Sequence, residues 1–506
     1  MTSMDRKTTF WRSAAVAWLL FSALAVGTAP AQEASVVSPA VRSVYRHIAA
    51  LRFSEARQGM QGLRQGEAPL PLVYLLENYL DFLQAVLDDA TTATDVFFQQ
   101  AAKRADIVSR MDIHSPWTRY AEAEIRLQRA ALLGRRGHYV SAAREVHRVW
   151  SLLEENRQRY PRFALNRKSW SVIVALMGAL PDEFRWVAEL MSGVKGSVTG
   201  GVRDLEALLS EGASETLLFE EEIRVAIAFL RLNLLDDHVG AWRVLQTPRW
   251  EPRHSPLAAY ALAVVAMRSG RTDEAIHLLE ASPEGSAYYP FWLRYYLLGT
   301  LKLNRLDADA DQPLRYFAQH FPGDSYRWEV CQKIAWHHLL QGNENGYQTW
   351  MARLRATKRP RTEQDQAAWY EAHHGPAPNP TLLRARLLFD GGYYQRAYET
   401  LQRSPMPPDD DLALEYAYRL GRVTHALERW NEAERYYQQT IERGARSPAY
   451  YACQSALQLG LIYEKQHRYA EAKAAYQTCL RLKPQLHRLS LHVKAKAGLA
   501  RLKEKR

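Results

Sequence analysis

Cys453–Pro484 reads CQSALQLGLIYEKQHRYAEAKAAYQTCLRLKP, and this stretch decides the fold. Apolar and small residues recur at three- and four-residue spacing, the period of a helix. Leu459, Gly460 and Tyr463 fall on the inner face of a first helix. Tyr469, Ala472, Tyr476 and the small Cys479 fall on that of a second, and Pro484 closes the unit. The spacing predicts helices, and the small Ala472 lets two helix axes approach closely.

The same beat runs backwards through the chain. Its form is a turn residue, often Gly, then an aromatic two residues on and an Ala three residues later. Trp430 precedes Ala433, Gly392 and Tyr394 precede Ala397, and Gly270 and Thr272 precede Ala275. Gly137 and Tyr139 precede Ala142, Phe53 precedes Ala56, and Ala241 is a further member. Ala241 to Ala275 is 34 residues, Ala397 to Ala433 is 36 and Ala433 to Ala472 is 39. A period of this size means helix pairs stacked into a solenoid, each burying its core against its neighbours. Two degenerate pairs fill the gap, Tyr296–Asn304 with Leu314–Phe321 and Arg327–Gln341 with Gly346–Leu354. Strand signals are weak throughout.

Residues 378–506 resemble the tetratricopeptide repeat (TPR) superfamily over nearly three repeats, and 255–289 resembles one more. The wider segment Tyr296–Leu401 is similar to secreted repeat proteins of Bacteroidetes-type bacteria. The resemblance implies an all-α, right-handed α-solenoid of helix-turn-helix repeats that binds proteins. It also implies a groove lined by the first helix of each pair. With Ala385, Gly421 and Gly460 at the eighth repeat position, that groove would present Leu382, Arg386, Phe389, Glu415, Tyr418, Arg422, His425, Gln454, Leu457, Glu464 and Lys465. Arg386, Tyr418, Arg422 and His425 form a cationic and aromatic strip suited to an extended acidic segment or a carboxylate. The Lys/Asn carboxylate clamp of chaperone-binding relatives is missing from this pattern.

The N-terminus reads as an export signal. Arg6, Lys7 and Arg12 precede the apolar run Ser13–Gly27, and Ala29-Pro30-Ala31 is a small-x-small cleavage site. The run is shorter than the roughly 20 residues of a membrane span. Residues 1–31 are therefore expected to leave a mature chain that starts at Gln32, in the periplasm or elsewhere in the cell envelope. An uncleaved anchor is the other reading.

Three interruptions mark the organisation. Gly193–Gly201 (GVKGSVTGG) is hostile to helix and separates an N-terminal helical block, 32–192, from degenerate repeats at 202–354. A basic polar insertion, 355–380, precedes the C-terminal repeats at 381–486. Ser404–Asp411 is a turn that launches a helix, and 487–506 is a capping helix.

The formal charge is +11, and removing the signal's three bases and one acid leaves about +9. Two clusters carry much of it. Arg355, Lys358, Arg359 and Arg361 follow Arg353, and the tail from Arg481 to Arg506 is strongly basic. These suit an acidic protein or, alternatively, an anionic lipid surface or cell-wall polymer; nucleic acid is not expected outside the cytoplasm. Of the three cysteines, Cys331, Cys453 and Cys479, the last holds a small packing position. Buried free thiols are therefore expected, while a Cys453–Cys479 bridge stays open.

No catalytic motif stands out. A Walker loop, a GxGxxG helix start, GxSxG, HExxH and CxxC are all missing, as is the Glu-Ser pair of exported lytic transglycosylases. His337-His338 and Glu371-x-His373-His374 place neighbouring ligands about 100° apart on a helix, which suits no single ion. Neither a cofactor nor a metal is expected, and the reading is a non-enzymatic scaffold.

Overall fold

The computed structural model describes residues 37–112, 114–179, 196–235, 237–247, 251–323, 325–356 and 363–504. The expected signal at 1–31, most of Gly193–Gly201's first half, and Lys358, Arg359 and Arg361 lie outside the described residues. Among the described residues the protein is all-α, a solenoid of TPR-like helix pairs without strands. No described helix is long and apolar enough to cross a membrane.

Two compact units divide it, residues 37–298 with 320–323 and residues 299–319 with 325–504. The first contains α1 (Pro39–Ala49), α2 (Phe53–Gly62), α3 (Leu70–Asp88), α4 (Thr91–Ser109), α5 (Pro116–Arg135) and α6 (Tyr139–Arg159). It continues with α7 (Leu165–Gly178), α8 (Val198–Glu211), the short α9 (Ser214–Leu218), α10 (Glu220–Leu234), α11 (His238–Leu245), α12 (Pro256–Arg268) and α13 (Thr272–Glu280). The chain passes into the second unit within α14 (Leu293–Arg305). There follow α15 (Asp311–His320), α16 (Arg327–Leu340), α17 (Glu344–Arg355), α18 (Glu363–His374), α19 (Pro380–Asp390) and α20 (Tyr394–Gln402). The C-terminal helices are α21 (Asp410–Ala426), α22 (Trp430–Gly444), α23 (Tyr451–Lys465), α24 (Tyr469–Arg481) and α25 (Arg488–Glu504).

The two helices of a pair start in different ways. Several first helices begin with a capping side chain followed by proline. Ser38-Pro39, Ser115-Pro116, Ser255-Pro256 and Asn379-Pro380 each accept a backbone N–H of the first turn. Proline loses nothing there, because its missing N–H would have no helical partner. Second helices instead follow a shared turn. At Leu51, Gly137, Gly270, Leu306, Gly342, Gly392, Glu428 and His467 the backbone is left-handed. The next N–H reaches back five residues, as Arg429 to Thr424, Arg468 to Tyr463 and Asp307 to Lys302, at 2.8–2.9 Å. This is the Schellman closure of a helix. It recurs in the degenerate pairs, where the Ala beat is lost, and so extends the repeat through α14–α17.

Small residues set the spacing of the axes. Ala56, Ala241, Ala275, Ala397, Ala433 and Ala472 have no exposed surface. Tyr476 is clasped between Gly460 and Gly498, where an added Cβ would stand 2.3 and 2.4 Å from its ring. Gly498 belongs to α25, whose Leu491, Ala495 and Leu502 join the core of the α23–α24 pair.

Two expectations need correction. Gly193–Gly201 does not exclude helix, since α8 begins at Val198 and includes Gly200 and Gly201. Ser197 Oγ caps the Gly200 N–H at 3.0 Å. Gly201 lies so close to α7 that a Cβ would meet the Ser171 carbonyl at 2.4 Å. Helix-to-helix approach, not turn formation, explains that glycine. The insertion at 355–380 also contains a well-bonded helix, α18. Its buried Asp365 accepts the backbone N–H groups of Tyr326 and Glu329, at 2.9 and 3.0 Å, and so caps α16.

Candidate functional site

The expected groove residues belong to the first helices α19, α21 and α23, and the structure separates them into surface and floor. Arg386 stacks on the indole of Trp336, 4.7 Å from its centroid, with only a 3.8 Å contact to Asp390. Arg422 stacks on Phe389 at 4.3 Å and donates through Nη1 to Tyr418 Oη at 2.8 Å. Tyr418 packs against Tyr451 at 4.9 Å and Tyr450 at 5.9 Å. Two groups of cation–aromatic contacts result, Trp336 with Arg386 between α16 and α19, and Phe389, Arg422, Tyr418 and Tyr451 from α19 through α21 to the start of α23. An arginine held flat on a ring keeps the edges of its guanidinium available to a carboxylate.

Several expected groove residues are not surface groups. Tyr418 is 1% exposed, and Leu382 and Leu457 are equally buried. The next repeat covers the tyrosine ring with Tyr450 and Tyr451, so Tyr418 supports Arg422 from below. Glu464 is also buried, accepting Tyr476 Oη at 2.8 Å and both Arg501 Nε at 3.0 Å and Nη2 at 2.8 Å. α25 supplies that arginine and removes Glu464 from the groove. Glu415 is engaged by Arg419 at 2.5 Å. Gln454 is half-buried, and Lys465 is exposed with its ammonium 4.6 Å from the Trp430 ring.

His425 is half-buried, with Nδ1 3.3 Å from Tyr437 Oη and Trp430 edge-on at 5.5 Å. Burial, then the charges of Arg422 and Lys465, push its imidazole down to about 4. It is therefore neutral at physiological pH. The cations of this face are Arg386, Arg422 and Lys465.

Sequence reasoning missed Trp336, Tyr450 and α18. Glu371 of α18 accepts Trp336 Nε1 at 2.8 Å and Gln332 Nε2 at 2.7 Å, so one indole receives Arg386 on its face and Glu371 at its edge. Burial raises the Glu371 carboxyl. Tyr370 Oη donates to Gln485 Oε1 at 2.7 Å, tying α18 to the turn before α25. The insertion therefore borders the arginine strip. Arg355, expected in a free basic patch, donates its Nε to the Ala372 carbonyl at 2.8 Å.

The described residues contain no group of three or more His, Cys, Asp or Glu able to hold a metal ion. His337 faces Asp311 at 3.6 Å, while Nε2 of His338 lies 2.7 Å from Arg315. In the N-terminal unit a recess of about 220 Å³ is lined by Arg57, Arg64 and Arg104. Two of these are ion-paired, Arg64 with Glu77 at 2.5 Å and Arg104 with Asp81 at 2.6 Å, and Arg57 donates to Gln84 Oε1 at 3.3 Å.

The Tetratricopeptide repeat family model matches residues 412–485, the span of α21 to α24. No curated protein matches the chain.

Proposed function

From the tetratricopeptide repeats at 412–485, a fold that mediates protein–protein interaction, we propose that this chain is a non-enzymatic scaffold of the cell envelope. It is exported behind residues 1–31 and takes an extended acidic segment of a partner protein along the face that carries Arg386 and Arg422. The observation that carries the reading is the strip itself: two arginines laid on Trp336 and Phe389 across successive first helices. Among the described residues neither guanidinium has a carboxylate within 3.5 Å, and Asp390 stands 3.8 Å from Arg386. The positively charged start and the apolar run at Ser13–Gly27 support export.

The test is capture of envelope proteins by the purified chain, competed with an extended Asp/Glu-rich peptide. Charge reversal at Arg386→Glu with Arg422→Glu should lower capture and peptide affinity at least tenfold, with the helical circular dichroism unchanged. Undiminished capture by the folded double variant moves the site elsewhere. Salt-sensitive sedimentation with anionic vesicles, without peptide binding, would replace this reading with the lipid or cell-wall one. Two members of the basic clusters are partly committed inside the protein, Arg355 to the Ala372 carbonyl and Arg501 to Glu464.

A further inference from the structure

The last helix pair brings two cysteines together. Cys453 stands in the first turn of α23 and Cys479 in the last turn of α24, and the antiparallel packing leaves their sulfurs 3.6 Å apart. Both side chains are buried, at 1% and 0% exposure. The Cys453 thiol donates to the Cys479 carbonyl at 3.3 Å, and Cys479 Sγ lies 3.9 Å from the Leu491 carbonyl of α25. Both thiols are free in this structure.

We propose that Cys453 and Cys479 are a disulfide-forming pair that staples α23 to α24 and closes the C-terminal repeat covalently. A disulfide needs its sulfurs at about 2.05 Å, so the closure asks for an approach of about 1.5 Å from two side chains that already touch. The oxidant is a disulfide, either a small molecule or the oxidised form of a dithiol oxidoreductase. The Cys453 thiolate attacks one sulfur of that disulfide and expels the other as a thiolate. Cys479 then loses its proton and attacks Cys453 Sγ, expelling the second oxidant sulfur. The two cysteines lose two electrons and two protons in total, and the oxidant leaves as two thiols.

Access is the built-in control. α25 covers Cys479, so reaction requires that helix to lift, a local opening of the kind folded proteins undergo. The third cysteine has no such partner. Cys331 lies half-buried in α16, and burial pushes its thiol up to about 11.

The experiment uses the full chain with excess oxidised glutathione at pH 8, with and without mild denaturant to open the end. Expected are a mass loss of two hydrogens, a peptide pair linking 453 to 479, and a fall from three titratable thiols to one in full denaturant. Hydrogen exchange in residues 453–481 should slow at least tenfold on oxidation and recover with a reducing dithiol. A Cys479→Ala variant, which keeps a small side chain, should stop at a single glutathione adduct on Cys453 and form no internal link. Three thiols remaining after opening, stable glutathione adducts at both sites, or a link through Cys331 would each overturn the proposal.

Discussion

The two units handle buried charge in opposite ways. In the C-terminal unit the last core is apolar and small: Ala456, Ala472, Ala475, Leu457 and Ile462 pack around Tyr476. The charges around that core lie on aromatic faces or in the Glu464–Arg501 pair, while the unit's buried Asp365 and Glu371 each accept neighbouring backbone or side-chain N–H groups. The N-terminal unit places an ionic cluster at its centre. Lys168 of α7 reaches Glu124 of α5 at 2.7 Å and Glu222 of α10 at 2.6 Å, over the ring of Phe219. Tyr79 of α3 donates to Glu222 at 2.8 Å, and Ser169 Oγ to Glu124. One design repeats a steric rule, while the other joins four helices through a single set of charges. A repeat built on shape tolerates local loss, whereas a shared ionic hub makes its helices depend on one another.

The largest consequence is at Lys168. Burial opposes its charge, but Glu124 and Glu222 outweigh this and hold the ammonium above its ordinary range. Lys168→Met leaves two carboxylates in the interior and should cost about 3–5 kcal/mol of N-terminal-unit stability. Adding Glu124→Gln and Glu222→Gln should recover most of that loss. The check is urea unfolding followed by hydrogen exchange in residues 116–178. A loss under about 1 kcal/mol would mean the cluster is far better solvated than its burial implies.

Acid separates the units next. Burial, with Glu124 adding to it, raises the Glu222 carboxyl despite Lys168. A raised carboxyl binds its proton more readily folded than unfolded. Its contribution therefore favours the folded N-terminal unit as pH falls toward the ordinary carboxylate range. His425 has the reverse sign. Its folded value of about 4 lies below the ordinary 6.5, so the unfolded state takes the proton first. The C-terminal unit should lose on the order of 2–3 kcal/mol through His425 between pH 6.5 and 4. Comparing each parent with Glu222→Gln and His425→Gln across that range isolates the two terms. Parallel pH slopes for parent and variant would remove that residue as a source.

What could be read in the chain follows the same division. Ala433, Ala472 and Gly460 announce themselves because close helix approach admits only small residues, and that demand is local. Tyr418 and Glu464 were placed on the groove because repeat position sets the direction of a side chain, not what later covers it. Tyr451 and Arg501, which cover them, lie 33 and 37 residues further on. The hub of Lys168, Glu124 and Glu222 left no pattern, since its members come from three helices and look like ordinary solvated charges. The Gly200-Gly201 pair was read as a break because a glycine needed for contact and one needed for a turn look alike in sequence. The left-handed turns at Leu51, Leu306, Glu428 and His467 were hidden by side chains that rarely adopt that conformation.

Those turns give the finest test, because one torsion should yield two signs. Glu428 is exposed at φ 58°, and its carboxylate makes only a 3.7 Å contact with the exposed Lys465. A non-glycine residue in this region carries about 1–2 kcal/mol of strain, and glycine returns part of that as unfolded-state entropy. Glu428→Gly should therefore stabilise the C-terminal unit by about 0.5–1 kcal/mol. Leu51 in the N-terminal unit has nearly the same φ, 60°, but no exposed surface, and its carbonyl accepts the Tyr289 N–H at 2.7 Å. Leu51→Gly relieves the same strain yet surrenders a buried side chain worth about 1.5–3 kcal/mol, so its net effect should be destabilising. Thermal unfolding of the two variants decides it. Equal signs would show that backbone strain, not burial, sets the energy of these turns.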